Sequence, residues 1–195
     1  MDIELHEESM AALAEHARIP TAFEVERVLV VSIEDHGLGG FVLSERRLGA
    51  PYVKDYDAID GEGPTRWAER FDLSNWGLIS AHSGDRCVGG TVIAFNTAGV
   101  DILEDRGDLA VLWDIRVHPE SRRHGVGSAL FRAAEEWAVA RGCCEIKVET
   151  QNINVAACRF YASQGCVLGA INRFAYKELQ HEVQLLWYKH LAGTR

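Results

Sequence analysis

The sequence predicts a mixed α/β (α+β) fold, with a mixed central sheet of about six to seven strands and helices on both faces. Three observations carry that expectation. The first half of the chain holds several short apolar or alternating runs separated by turn residues, as antiparallel strands require. The second half runs strand, helix, strand, helix, strand, an order that suits parallel pairing with helices laid over the sheet. The length of 195 residues with 47% hydrophobic content suits a single domain with a sizeable core, spanning residues 1–195.

Taken in order, residues 7–18 carry Met10, Leu13, Ala14 and Ala17 at helical spacing and stop at Pro20, which predicts a short helix. Residues 23–33 begin in strict alternation and end apolar, predicting a strand. A turn follows at Gly37-Leu38-Gly39-Gly40, then a weaker strand over residues 41–46. Residues 48–64 are the least regular stretch and read as a long loop, with Asp55, Asp57, Asp60 and Glu62 beside Tyr52 and Tyr56. Such segments in compact domains often carry function, so a substrate-facing loop stands beside a plain surface loop as the two readings. Helix formers surround Trp67 over residues 65–71.

Residues 76–81 and 87–95 predict two strands joined through Ser83-Gly84-Asp85-Arg86, an antiparallel hairpin. Residues 109–117, Leu-Ala-Val-Leu-Trp-Asp-Ile-Arg-Val, are nearly all apolar, as in a central strand, with Asp114 and Arg116 placing charge on one face. The helix that follows Gly125 keeps Leu130, Ala133, Ala134, Trp137 and Ala138 on one stripe and ends at Gly142. Residues 144–150 alternate as a strand, 154–163 form a second helix, 167–171 another strand and 182–189 a closing strand. No internal repeat, low-complexity segment or linker interrupts the order.

Formal net charge is −9, from 29 acidic and 20 basic residues, which disfavours nucleic acid or an anionic membrane as the main partner. The five cysteines are Cys87, Cys143, Cys144, Cys158 and Cys166. No C-x-x-C pair occurs and the count is odd, so buried thiols in a reducing compartment are expected rather than a disulfide framework. The first twenty residues are acidic with no apolar h-region, and no apolar run reaches the length of a membrane span; a cytoplasmic protein is expected. The eight histidines show no metal-ligand spacing, so no metal is expected.

The chemistry concentrates in residues 117–130, Val-His-Pro-Glu-Ser-Arg-Arg-His-Gly-Val-Gly-Ser-Ala-Leu. A strand end, a basic glycine-bearing turn and a helix start make an anion site, because unpaired N–H groups and the helix dipole both favour phosphate there. A Walker loop needs G-x-x-x-x-G-K-[ST], and no such Lys follows a glycine. A dinucleotide fingerprint needs a third glycine where Leu130 stands. What remains is Arg122-Arg123-His124-Gly125-Val126-Gly127 after Val117-x-Pro119, a [RQ]-x-x-G-x-[GA] pattern.

On these residues the chain resembles the GNAT superfamily of N-acetyltransferases, whose acetyl-CoA motif has this spacing. The second half of the family pattern is present as Asn154, Ala157, Tyr161 and Gly165, with Cys166 where the family has Phe. The match covers residues 109–176. Residues 149–158, with Phe160-Tyr161, the Trp113-Asp114-Ile115 strand and the Trp187-Tyr188 ending, are similar to the streptothricin acetyltransferases in particular.

The resemblance implies a GNAT fold and acetyl-CoA as co-substrate. It places the pyrophosphate on the N–H groups of Arg123, His124, Gly125, Val126, Gly127 and Ser128, with charge from Arg122. It runs the pantetheine arm along Ile115, Arg116 and Val117, where the family's sheet splays from the next strand. Asn154 and Ala157 would lie along the cofactor arm, although Asn154 also reads simply as a helix cap. Tyr161 is the candidate acid for the departing thiolate. Asp114 is the first candidate for general base, Glu149 the second and water the third; Asp114 also reads as a partner of Arg116. Asp55, Asp57 and Glu149 are candidates for contacting the acceptor. The implied activity is direct transfer to a primary amine in a ternary complex, with a streptothricin-like cationic antibiotic as first acceptor. A peptide or protein amine, or a non-catalytic acyl-CoA-binding module, are the alternatives. The oligomeric state is left open, a homodimer included.

Overall fold

The computed structural model describes residues 2–59, 63–179 and 181–191. The strands are β1 (Glu4–Glu8), β2 (Phe23–Glu34), β3 (Gly40–Lys54), β4 (Gly77–Ser83), β5 (Arg86–Phe95), β6 (Leu109–Val117), β7 (Glu145–Gln151), β8 (Val167–Asn172) and β9 (Gln184–His190). The helices are α1 (Leu13–His16), α2 (Trp67–Arg70), α3 (Val126–Ala140) and α4 (Val155–Ser163). Seven strands form one mixed sheet in the order β1-β4-β5-β6-β7-β9-β8, while β2 and β3 form a two-stranded sheet of their own. The chain divides into two compact units, one of Met1–Thr21, Asp55–Val148 and Lys189–Arg195, the other of Ala22–Lys54 and Glu149–Tyr188.

In the first unit, β4 pairs antiparallel with β1 and β5, β5 antiparallel with β6, and β6 parallel with β7. The long helix α3 buries Val126, Leu130, Phe131, Ala134, Trp137 and Ala138. A glycine pair in β5 gives α3 its seat on one face and α1 its seat on the other. A Cβ on Gly89 would lie 2.9 Å from Val126 Cγ1, and one on Gly90 would lie 2.6 Å from His16 Nδ1. Successive strand residues point to opposite faces, so α3 and α1 approach β5 from opposite sides. Both approaches need a residue without a side chain. The core on the other side of α3's strands gathers Leu13, Trp67, Trp76, Leu78, Val92, Leu103 and Val111, with Phe71 and Trp113 packed against it.

In the second unit, β8 pairs antiparallel with β9. Asn152 joins separate pieces of chain: it accepts from Leu29 N at 2.9 Å and donates to Leu29 O at 2.9 Å, and its Oδ1 accepts from Val183 N at 2.8 Å. Val25, Val28 and Ile153 form a small apolar cluster beside it.

Two elements differ from their sequence expectation. The predicted helix over residues 7–18 is shorter, because β1 takes residues up to Glu8 and a tight turn over Met10–Ala12 leads into α1. β1 is an edge strand exposed from Glu4 to Glu7, so its sequence carries no apolar alternation to betray it. The predicted loop over residues 48–64 is strand as far as Lys54, paired against Phe23. Glycine and proline there mark an exposed edge rather than irregular chain. Asp60 and Glu62 of that stretch lie outside the described residues.

Candidate functional site

β6 is the element from which the site is built. Its ladder with β7 pairs residues 109–112 with 145–148, and among the described residues no β6–β7 pair follows. At the same place the β5–β6 register shifts: Ile93 pairs with Leu112 but Val92 pairs with Asp114, leaving Trp113 as an extra residue. A bulge of this kind bends the strand and increases its twist. Trp113 fills an aromatic group, 5.0 Å from the Trp76 ring and 5.4 Å from the Phe71 ring. The Thr91 hydroxyl donates to the Asp114 carbonyl at 2.9 Å. The backbone of Ile115, Arg116 and Val117 stays paired to β5 on one side, and among the described residues no β7 ladder takes the other. An open strand edge of this kind accepts an extended amide-bearing arm by strand addition.

Directly after β6 the chain makes the basic turn. Pro119–Ser121 forms a short 3-10 turn, Arg122 is extended, and Arg123 takes a left-handed conformation at φ 63°. Gly125 is left-handed at φ 87° and precedes α3 with no side-chain cap on the helix end. A Cβ on Gly125 would meet nothing within 4 Å. Arg122, Arg123, His124 and Gly125 are exposed, Gly127 and Ser128 are half-buried, and Val126 is buried as the anchor of the first turn. Arg122 Nε donates to Val117 O at 3.2 Å, which folds its side chain back over the strand end. An uncapped fifteen-residue helix with an open glycine before it and two arginines beside it fits a pyrophosphate.

The charges on β6 face the other way. Residues opposite each other on an antiparallel pair share a face, so Arg116, opposite Gly90, and Asp114, opposite Val92, lie on the α1 side. Arg116 is 5% exposed. Its Nε donates to both Asp114 oxygens at 3.1 and 3.0 Å, and its Nη2 lies 2.9 Å from Asp114 Oδ2. Its Nη1 reaches the Ile19 carbonyl at 3.1 Å and Asp57 Oδ1 at 2.9 Å. His16 Nε2 is 3.4 Å from Asp114 Oδ1. Burial acts to raise the Asp114 carboxyl, but the nearby His16 ring and the Arg116 charge outweigh it and hold that carboxyl below its usual range. Burial likewise opposes the Arg116 charge, and Asp114 and Asp57 outweigh it, raising Arg116 above its ordinary value. Asp57 also accepts from Thr21 N at 3.2 Å, and Asp55 Oδ1 accepts from Asp57 N at 3.0 Å. Asp55, Asp57 and Asp114 therefore sit in one network around a buried arginine.

In the second unit, Asn154 caps α4: its Oδ1 accepts from Ala157 N at 3.1 Å. Tyr161 is buried on α4, with its ring 5.1 Å from that of Phe160. Glu149 projects from β7 on the face opposite Thr150, whose hydroxyl accepts from Trp187 Nε1 at 2.9 Å. Tyr176 donates to Glu149 Oε1 at 2.5 Å and Gln184 donates to Oε2 at 2.7 Å. Sequence reasoning gave no role to His16, Tyr176 or Gln184, since nothing in their local pattern marks them. The glycine pair of β5 did carry a signal, because glycine inside a strand points to a close approach.

The described cysteines are all free. Burial pushes Cys143 up to about 11 and raises Cys87 and Cys158, and the Asp108 hydrogen bond raises Cys144. Among the described residues no group of three His, Cys, Asp or Glu side chains is placed to hold a metal, and no helix is long and apolar enough to cross a membrane.

Comparison with known proteins bears on the family and the fold. Residues 48–166 match the model of the Acetyltransferase (GNAT) family. Streptothricin acetyltransferase A of Bacillus subtilis (strain 168) is 30% identical over 152 residues, covering 77% of this chain and 80% of the relative. A crystal structure of nourseothricin acetyltransferase superposes with a TM-score of 0.75 at 22% identity, over 98% of this chain and 99% of the other. A Bacillus anthracis str. Ames protein described as a streptothricin acetyltransferase, solved with acetyl coenzyme A, gives a TM-score of 0.73 at 26% identity, over 97% and 98% of the two chains. The mixed seven-stranded sheet, the basic turn before α3 and these matches together establish that the chain belongs to the GNAT family of acetyltransferases.

Proposed function

We propose that the chain moves acetyl from acetyl-CoA to a primary amine of a small polycationic acceptor, a streptothricin-like antibiotic first. The amine attacks directly, with no covalent enzyme intermediate. The observation that carries the donor side is the uncapped start of α3 behind Gly125, at the end of a strand whose outer edge is open. The acceptor side is supported by the streptothricin acetyltransferase relatives and by the net charge of −9, which favours cationic ligands.

In this reading the N–H groups of residues 123–128 hold the pyrophosphate, and the arginines at 122 and 123 add charge. The edge at Ile115, Arg116 and Val117 binds the pantetheine amides through backbone alone, since the Arg116 side chain is engaged elsewhere. Bound acetyl-CoA supplies a thioester, an acyl group with a thiolate leaving group. Glu149 receives a proton from the acceptor ammonium, directly or through water, which frees the nitrogen lone pair. As the N–C bond forms and the C–S bond breaks, the Tyr161 phenol protonates the departing sulfur; the second proton leaving the acylated nitrogen returns to the phenolate through water, and Glu149 releases its proton to solvent. Asn154 and Ala157 set the start of α4, which places Tyr161. Asp114 serves as counter-ion to Arg116: a carboxylate held by a guanidinium and stabilised in its charged form is a poor proton acceptor.

An acceptor panel tests the reading. Acetyl-CoA consumption is expected with streptothricin and related polyamines and at buffer level with peptide N-termini; the reverse pattern would transfer the activity to peptide amines. Tyr161→Phe is expected to lower kcat on the order of 100-fold while acetyl-CoA affinity by calorimetry changes less than about twofold. An unchanged kcat would remove Tyr161 from the chemistry.

A further inference from the structure

Glu149 is held in an unusual way for a carboxylate. On β7 it shares a face with Gln151, because residues two apart on a strand point the same way. The intervening Thr150 points oppositely, to Trp187 Nε1 at 2.9 Å and Cys158 Sγ at 3.4 Å. Both Glu149 oxygens are bound by neutral donors: Tyr176 Oη on Oε1 at 2.5 Å, Gln184 Nε2 on Oε2 at 2.7 Å, and Gln151 Nε2 on Oε1 at 3.5 Å. Gln151 Nε2 also donates to Tyr176 Oη at 2.9 Å. A phenol has one proton. With its oxygen accepting from Gln151, that proton is directed onto Glu149. All four side chains are half-buried. Among the described residues no Lys, Arg or His forms an ion pair with Glu149, in contrast to Asp114, Asp57 and Glu182, each of which has at least one.

The donors therefore fix and solvate a carboxylate without neutralising it. A carboxylate has about four lone-pair directions, so three donors leave room for another. A fixed, half-buried negative charge with spare acceptor capacity favours a cationic N–H donor strongly over a neutral one.

We propose that Tyr176, Gln184 and Gln151 are positioning residues that orient the Glu149 carboxylate as the ammonium subsite for a cationic acceptor. They set the amine specificity of the enzyme without touching the acetyl donor. This rests on the reading of Glu149 as the carboxylate that meets the acceptor. The hydrogen-bonded relay runs Gln151 to Tyr176 to Glu149, with Gln184 closing the far oxygen. Loss of one donor frees the carboxylate to turn, so the effect falls on acceptor KM.

The test is a double-mutant cycle on streptothricin acetylation, with Tyr176→Phe and Gln184→Leu measured in the wild-type and the Glu149→Gln backgrounds. In the wild-type background each change is expected to raise streptothricin KM on the order of tenfold or more, while acetyl-CoA KM stays within about twofold. In the Glu149→Gln background neither should add a further rise, because the group they position has lost its charge. Thermal midpoints and acetyl-CoA KM report folding; if Tyr176→Phe does not fold, Gln184→Leu and Gln151→Leu complete the same cycle. Equal KM rises in both backgrounds, or an acetyl-CoA KM that moves as much as the acceptor KM, overturn the positioning role while leaving Glu149 in place. Turnover untouched by Glu149→Gln, or no streptothricin turnover by the wild-type chain, overturns the reading beneath it, and the cradle with it.

Discussion

On β6 the side chains of Asp114 and Arg116 point to the face that carries α1, whereas Ile115 and Val117 share the face that carries α3. That alternation puts Asp114 beside Arg116. It is the first-choice base when only the sequence is read, because a charge on a central strand asks for a reason. The reason visible in the structure is Arg116, which needs two carboxylates and a carbonyl to remain charged while 5% exposed. Asp114→Asn leaves that arginine under-compensated and is expected to cost about 3 kcal/mol of unfolding free energy near neutral pH. The folded carboxyl lies below its unfolded value, so its contribution is present above the unfolded carboxylate pKa of about 3.9 and fades as pH falls through the folded one. Urea titrations of the two proteins should therefore differ at pH 7 and converge in strong acid. A gap of constant size at every pH would mean that the charge is not its source.

At the level of elements, β5 and β6 fix the site between them. β5 spends two glycines in succession so that α3 can press on one face and α1 on the other. Gly89→Ala would drive a Cβ against the Arg116 carbonyl and the Val126 side chain, each 2.9 Å away. The expected cost is about 1–3 kcal/mol, together with a rise in acetyl-CoA KM, because Val126 anchors the turn that begins α3. Gly49→Ala, with nothing within 4 Å, serves as the control and should shift the thermal midpoint hardly at all. Equal midpoints for the two variants would refute the close packing. These elements also show what a sequence can reveal. β6, α3, β7 and α4 were readable nearly to their ends, because apolar stripes and caps such as Asn154 and Gly142 mark them. β1 and the far half of β3 were not, since each lies exposed with charges, glycine and proline where a buried strand would show alternation.

For the molecule as a whole, the donor half of the proposed site was legible because a turn suited to phosphate is a local feature. Arg122, Gly125 and Gly127 stand within one short stretch, and the elimination of other glycine patterns needed only spacing. The carboxylate cradle was not legible, because Glu149, Tyr176 and Gln184 come from separate elements and only pairing of the chain brings them together. The Arg116 network, gathering His16, Ile19 and Asp57, is illegible for the same reason. The cysteines carry a practical consequence. Cys87, Cys143, Cys144 and Cys158 are all held toward the protonated thiol. The thiol is a far weaker nucleophile than the thiolate. Acetyl transfer releases one coenzyme thiol per turnover, and an aromatic disulfide reagent detects it by colour. At pH 7.5 the folded enzyme alone should give a slow, nearly flat baseline with that reagent, and a burst only after denaturation. The chain would then permit continuous colorimetric recording of its own reaction, with no cysteine replaced and no quench step.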